Sequence, residues 1–291
     1  MTNRPWLDDF LRQERLPHGY AELVKNHFAP LARLIEGQHT DTSRIIGING
    51  AQGTGKSTLA NVLKQLLQEE YGLQTAILSI DDLYLTRKER LRLAADVHPL
   101  LATRGVPGTH DVDLGVEVIE QLTAGTATRL PRFNKAIDNR EPTDAWPEVD
   151  QPVDILLFEG WCMAALPESD HRLSRPINVL EHQEDTDGIW REYVNQQLAG
   201  PYRLLFDRID TLIMLEAPDF ECVCDWRAKQ EDKLRSRMQA EGKPADEVMD
   251  PARLAHFMMH YERLTRWMLE EMPKRADTVL SLEKDHTLRS H

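Results

Sequence analysis

The stretch from Ile45 to Leu67, IIGINGAQGTGKSTLANVLKQLL, constrains the fold more than any other part of the chain. Gly50, Gly55, Lys56 and Ser57 complete the pattern G-x-x-x-x-G-K-[ST], with Ala51, Gln52, Gly53 and Thr54 filling the interval and Thr58 following. Gly53 adds a residue that turns the backbone without a Cβ penalty. A β-like run enters the loop and a helix leaves it, for Leu59, Val62, Leu63, Leu66 and Leu67 form one apolar stripe that stops at Gly72. In that context backbone N–H groups and the positive end of the helix converge on phosphate oxygens. Lys56 supplies a mobile charge for the β and γ phosphates, and the Ser57 hydroxyl can ligate magnesium. A nucleoside triphosphate site is therefore expected over Gly50 to Thr58. The same cradle serves motion, switching and phosphoryl transfer, so other residues must decide among them.

Four further β-like runs follow: TAILSI from Thr75, VDILLF from Val153, TLIML from Thr211 and TVLSL from Thr278. Those around Ile45, Ala76 and Ile155 are nearly continuously apolar, as strands covered on both faces are. Helical patterns lie between several of them, and Leu254, Phe257, Met258, Tyr261, Leu264 and Met268 mark a later one. Strands separated by helices predict an α/β fold, a doubly wound, mostly parallel five-stranded sheet with helices on both faces. Ligands should collect at the carboxyl ends of its strands.

Residues 1–43 read as a helical extension, with apolar positions at Leu23, Val24, Phe28, Leu31 and Ile35, and a polar linker EGQHTDTS. Residues 44–291 then form the main domain. Its two long connections, 84–113 and 125–152, are rich in Pro, Gly and charge and read as functional loops.

The 48 acidic residues outnumber the 35 basic ones, and the formal net charge of -13 repels polyanions and anionic lipid. Neither a nucleic acid nor a membrane is expected as partner. Cys162, Cys222 and Cys224 contain no CxxC pair, so no disulfide framework or zinc knuckle is indicated. The opening MTNRPWLDDFLRQERLP breaks its apolar residues with charges, unlike a secretory signal. No run reaches the roughly 18 apolar residues that span a bilayer. Cytoplasmic residence is expected. Oligomeric state is not readable, because apolar helix faces pack equally well within a subunit or between two.

Asp81 and Asp82 end the second strand, which is expected to run beside the phosphate strand and bring both carboxylates to its rim. One could orient or deprotonate an acceptor hydroxyl while the other supports magnesium or local structure; the alternative is that both cap the next turn. Glu159 ends the VDILLF run in the same way and could hold magnesium directly or through water. Arg132, Lys135 and Arg140 concentrate positive charge where an acceptor carboxylate or phosphate could be gripped, or are a solvated loop beside Asp138 and Glu141. Arg227, Lys229, Lys233, Arg235 and Arg237 crowd a helical segment at about 222–240, as phosphate ligands or as an exposed face paired with Glu231 and Asp232. Trp226, Trp267, Phe257 and Tyr261 read as core. Asn134, Lys135 and Asp138 stand one residue too far apart for an NKxD guanine reader.

The ordered set GINGAQGTGKST, SIDDLYL, RGVPGTHD, LPRFNKAIDNR, LLFEGW and DWRAKQEDKLR resembles the glycerate kinase branch of the phosphoribulokinase and uridine kinase group of P-loop kinases, from about Arg44 to Met268. The resemblance implies the P-loop kinase sheet, ATP and magnesium, and direct phosphorylation of a substrate hydroxyl. It implies Asp81 as general base, Glu159 near magnesium, and Lys56 and Ser57 at the nucleotide and the metal. It implies the 222–240 segment as a lid, with Arg227 the first choice for the cation on the transferring phosphate. Arg104, His110 and Asp111 fall in its acceptor loop and, with Asp82, Arg132 and Lys135, make up the expected substrate set. The acid pair Asp81-Asp82 and the RGVPGTHD loop depart from a strict uridine kinase pattern. D-glycerate or a similar sugar acid is the expected acceptor. Uridine, ribulose 5-phosphate and pantothenate are alternatives, as are a noncatalytic nucleotide switch and an RNA-directed kinase, the last opposed by the acidic charge.

Overall fold

In the computed structural model, residues 4–17, 19–240 and 248–289 are described, the side chains of Arg237 and Ala240 excepted. The five expected strands all form, as β1 (Arg44–Gly50), β2 (Thr75–Ser79), β3 (Ile155–Gly160), β4 (Thr211–Glu216) and β5 (Thr278–Ser281). They make one parallel sheet of order β2-β3-β1-β4-β5. Parallel neighbours require crossovers, and the helices that supply them cover both faces. The principal helices are α1 (Pro5–Gln13), α2 (Ala29–Gly37), α3 (Lys56–Tyr71), α4 (Arg87–Asp96), α5 (Val112–Thr123), α6 (Phe220–Ala240) and α7 (Pro251–Glu271).

Alternation along each strand divides the interior in two. Ile46, Ile48, Ile155, Leu157, Ile213 and Leu215 meet Leu59, Val62, Leu63, Leu66 and Leu67 of α3 on one face. Leu156, Phe158, Leu212 and Met214 meet Val118, Ile119 and Leu122 of α5 on the other. Every residue of β3 is buried, as expected of a strand with neighbours on both edges and helices on both faces. The N-terminal helices join the first face: Leu7, Leu11, Val24, Phe28, Leu31, Ala32 and Ile35 share a core with α3.

One expected neighbourhood is corrected. The strand carrying Asp81 does not pair with the phosphate strand; β3 lies between them, in register with both, and opposes Glu159 to Ile48 on one side and to Ser79 on the other. Local pattern does not encode strand order. The α3 crossover passes one strand position, and β2 takes the sheet edge, where Ile77 and Ser79 remain partly exposed. The consequence is functional, because Glu159 is delivered between the phosphate loop and the acids that follow β2.

Of the long connections, 84–113 contains α4 and a short 3-10 turn at Pro99–Ala102. The 125–152 connection folds back as two small antiparallel pairs, Thr128–Arg129 with Glu148–Val149 and Phe133–Asn134 with Asn139–Arg140. Among the described residues no helix is long and apolar enough to cross a membrane.

The rim depends on Gly160, at the end of β3. A Cβ there would stand 2.4 Å from Ile80 Cγ2, and Ile80 immediately precedes Asp81. We expect Gly160→Ala to lower unfolding free energy by about 1–3 kcal/mol through overpacking, read as a lower urea midpoint at unchanged slope. An unchanged midpoint would show that Ile80 yields without strain.

Candidate active site

The phosphate loop leaves β1 at Gly50, and α3 starts at Lys56 behind Gly55, with no side chain capping its first turn. Its leading N–H groups are therefore open to an anion. Thr54 turns inward, its hydroxyl donating to the Ala51 carbonyl at 2.9 Å, and Ala51 is buried. Gln52, Gly53, Gly55, Lys56, Ser57 and Thr58 face a cleft of about 420 Å³. Gly53 is required by close approach as well as by its φ of 85°: a Cβ would lie 2.8 Å from Trp226 Cβ, so α6 packs directly on the loop. Trp226 donates its indole N–H to the Lys284 carbonyl at 2.9 Å and lies against the His286 ring, with 4.2 Å between centroids. Beyond Gly53, Gly55 and Thr58 opens a larger cavity of about 930 Å³ bounded by Tyr20, Leu23, Trp226 and His286.

Across the cleft stand Asp81, Tyr84, Arg104, Lys135, Trp161, Arg227, Phe257 and Tyr261. Asp81 lies in the 3-10 turn Ile80–Leu83 that β2 runs into. Its Oδ2 accepts from Lys135 Nζ at 2.7 Å and its Oδ1 from the Tyr84 hydroxyl at 3.0 Å. Burial disfavours its charged form, but Lys135 and Lys56, together with the Lys135 hydrogen bond, outweigh that and hold the carboxyl well below the usual carboxylate range. Asp81 is thus a carboxylate at any ordinary pH.

Glu159 is 5% exposed. Ser57 Oγ donates to its Oε1 at 2.9 Å, while its Oε2 is buried with no hydrogen-bond partner. An orphaned buried carboxylate oxygen beside a loop hydroxyl suits a hard cation with oxygen ligands, so the pair fits magnesium.

Four of the expected substrate residues lie outside this cleft. Asp82 turns away from Asp81, accepting from Arg132 Nη1 and from the Phe133 backbone N–H, both at 3.0 Å. The two side chains line an adjoining cavity on the β2 edge, which Ser57 and Glu159 also border, and tie the 125–152 connection to the sheet. Burial raises the Asp82 pKa, partly offset by the Phe133 N–H and Arg132. Asp111 caps α5, accepting from the Leu114 N–H at 3.1 Å, and pairs with Arg140 at 3.0 Å. His110 is buried against Tyr84, ring centroids 4.5 Å apart, with Nδ1 bonded to the Tyr202 hydroxyl. Sequence could not reveal these roles, because each partner is distant in the chain or is a backbone group.

Arg104 is brought in, paired with Asp138, which also binds Arg90 at 2.8 Å. Arg227 is brought in with Glu231 as its partner. Lys229 and Lys233 line the larger cavity instead, Arg235 pairs with Asp232, and the Arg237 side chain lies outside the described residues. Sequence reasoning missed four cleft aromatics, passing over Tyr84 and Trp161 and assigning Phe257 and Tyr261 to the core. Trp161 donates to the Gly105 carbonyl and Tyr261 to the Arg104 carbonyl, each at 3.0 Å, so two cleft aromatics fix the loop that carries Arg104. The position of Trp161 two residues after Glu159 was the available signal.

A glycine loop opening an uncapped helix, on a parallel sheet with acids at the carboxyl rim, defines a P-loop nucleotide-binding protein. Residues 45–169 match the phosphoribulokinase / uridine kinase family. The chain is similar to the chloroplastic D-glycerate 3-kinase of Arabidopsis thaliana, 30% identical over 83% of this chain, and spans 52% of that longer relative. It is 31% identical to the uncharacterized kinase mug58 of Schizosaccharomyces pombe over 75% of this chain and 78% of the relative. In fold it resembles the D-glycerate 3-kinase structure from Cryptococcus neoformans var. grubii, with a TM-score of 0.70 and 21% identity over 90% of this chain and 95% of that one. The chain belongs to the phosphoribulokinase / uridine kinase family.

His110 offers a test of burial at the site. Burial lowers its pKa from 6.5 to about 4, against a smaller opposing pull from Asp81. Between those values the unfolded chain binds a proton that the native imidazole refuses, so stability is full above the upper value and falls as pH drops through the window. His110→Gln should remove about 2–3 kcal/mol of the stability difference between pH about 7 and about 4.5. Urea titrations at the two pH values check this; an unaltered difference would mean that native His110 takes up the proton.

Proposed function

We propose that the protein transfers the γ-phosphoryl group of ATP to a hydroxyl of a small anionic acceptor, D-glycerate or a similar sugar acid, in the cytoplasm. The carrying observation is that Lys56, Asp81, Arg104, Lys135 and Arg227 line one cleft at the carboxyl rim of the sheet. A phosphate cradle, a carboxylate and three further cations in one space suit a reaction that is chiefly positioning and charge stabilisation. The named D-glycerate 3-kinase relative supports the acceptor class, and three unpaired cysteines suit a reducing compartment.

In this reading the loop amides and the α3 N-terminus bind the phosphates, Lys56 neutralises the transferring group, and the nucleoside extends toward Tyr20 and Trp226. Asp81 orients the acceptor hydroxyl and accepts its proton late in a loose transition state, which suits a low-pKa carboxylate. Arg104 and Lys135 meet the acceptor carboxylate, and Arg227 approaches the transferring phosphate from α6. Ser57 and Glu159 would hold magnesium, which supplies charge neutralisation at the phosphates when bound.

Incubation with ATP and magnesium should give a phosphorylated product from D-glycerate but not from uridine, ribulose 5-phosphate or pantothenate, with ADP formed only in step with that product. A preferred product from another of the four, or ADP release indifferent to any acceptor, would contradict the proposal. Asp81→Asn should keep ATP affinity within about threefold while lowering kcat by about 100-fold or more. Lys56→Ala should weaken nucleotide binding as well, measured by calorimetry beside the kinetics. Equal kcat in the Asp81→Asn protein would remove Asp81 from the reaction.

A further inference from the structure

The hydrogen bonds of Asp81 pose a problem for its proposed role. Both carboxylate oxygens are engaged, by Lys135 Nζ at 2.7 Å and by the Tyr84 hydroxyl at 3.0 Å. An acceptor hydroxyl must displace or share one of them. Tyr84 cannot readily leave: it is 3% exposed, stacked on His110 and edge-on to Phe133 at 5.2 Å. Lys135 can. Its side chain is 59% exposed and sits in the turn between Phe133–Asn134 and Asn139–Arg140, on a flexible four-carbon stem.

The other paired cations of the cleft differ in one respect. Arg104 and Arg227 are neutralised by Asp138 and Glu231, carboxylates that do not line the cleft. Lys135 alone of the three is neutralised by the carboxylate that faces the reaction. The turn that carries it is held in place by other contacts: Asp138 binds both Arg90 and Arg104, and Asp82 holds the Phe133 N–H. Lys135 can therefore swing without the turn moving.

We infer that Lys135 is a counterion switch, covering Asp81 in the absence of acceptor and drawn off it by the acceptor's own carboxylate, so that the base is uncovered only when an anionic acceptor is seated. The inference rests on the reading of Asp81 as the base and of the acceptor as an anion. An ion pair with one partner mostly in water exchanges at little cost, and a bound carboxylate offers the ammonium an equivalent partner. Asp81 then accepts a hydrogen bond from the acceptor hydroxyl. As the new oxygen–phosphorus bond forms and the bond from the γ-phosphorus to the β–γ bridging oxygen breaks, the hydroxyl proton passes to Asp81. Water and neutral polyols have no charge with which to move Lys135, so the device selects anionic acceptors and suppresses ATP hydrolysis together.

The test compares Lys135→Met and Lys135→Arg with the unmodified protein, using D-glycerate, its uncharged analogue glycerol, and no acceptor. In Lys135→Met, kcat/KM for glycerate should fall by about 10- to 100-fold through loss of a charge-assisted contact. Turnover of glycerol and acceptor-free ATP hydrolysis should instead rise, by about fivefold each, as Asp81 is uncovered. Lys135→Arg should restore the original ranking, and adding Asp81→Asn to Lys135→Met should abolish both gains. If glycerate turnover falls while glycerol turnover and hydrolysis stay unchanged, Lys135 is only an acceptor contact and the switch is overturned. A fall in all three together with a lower melting temperature overturns it in favour of a structural role. If the unmodified protein fails to phosphorylate glycerate, the acceptor reading fails separately, and the hydrolysis arm still decides whether Lys135 covers Asp81.

Discussion

The hydrogen bond from Ser57 Oγ to Glu159, 2.9 Å across the top of the sheet, joins the two parts of the chain on which the site depends. One is contiguous, the strand, loop and helix that place Lys56 and Ser57. The other arrives from about a hundred residues away and is fixed by parallel pairing, which sets Glu159 opposite Ile48. Because side chains alternate along a strand, a one-residue slip would send this carboxylate into the other layer. The fully buried interior of β3 resists that slip, since Leu156 and Phe158 pack one face while Ile155 and Leu157 pack the other.

The same layered core explains how an acidic protein assembles a cationic cleft. With a net charge of -13, the average field repels a triphosphate and a sugar acid alike. Locally the balance reverses, because Lys56, Arg104, Lys135 and Arg227 come from four separate segments onto one opening. Three of them carry a carboxylate partner, which holds their positions and limits mutual repulsion before any ligand arrives. Buried aromatics complete the arrangement. Trp161 and Tyr261 hold two successive carbonyls of the Arg104 loop, and the Asn49 amide reaches the carbonyls of Trp161 and Met163. The end of β1 thereby fixes the turn beyond β3.

What sequence disclosed follows the range of each interaction. The phosphate loop was legible because its function lies in contiguous backbone, and the strands were legible as short β-like runs, most plainly β1 and β3, where burial on both faces leaves the run almost wholly apolar. Asp81 and Glu159 could be placed at the rim from their position after such runs. Strand order was not legible, since a helical crossover can pass over a neighbour, and the Asp81 strand was expected one place too near the phosphate strand. Asp82, His110, Asp111 and Arg132 drew attention as polar residues in motif-rich loops. Their partners are the Phe133 N–H, Tyr202, the Leu114 N–H and Asp82, contacts that only the folded chain supplies. Tyr261 was assigned to the core on helical spacing, which is correct and incomplete, for it also lines the cleft and its hydroxyl donates to the Arg104 carbonyl.

In the proposed reaction the nucleotide phosphates lie at the loop and the acceptor hydroxyl at Asp81, with the γ-phosphorus on the line between them. A crystal structure with a non-hydrolysable ATP analogue, magnesium and D-glycerate tests it directly. The predicted result has an acceptor hydroxyl within hydrogen-bond distance of an Asp81 oxygen, in line with the γ-phosphorus, and the acceptor carboxylate against Arg104 and Lys135. An acceptor bound elsewhere, with Asp81 out of reach of both hydroxyl and phosphate, would contradict it.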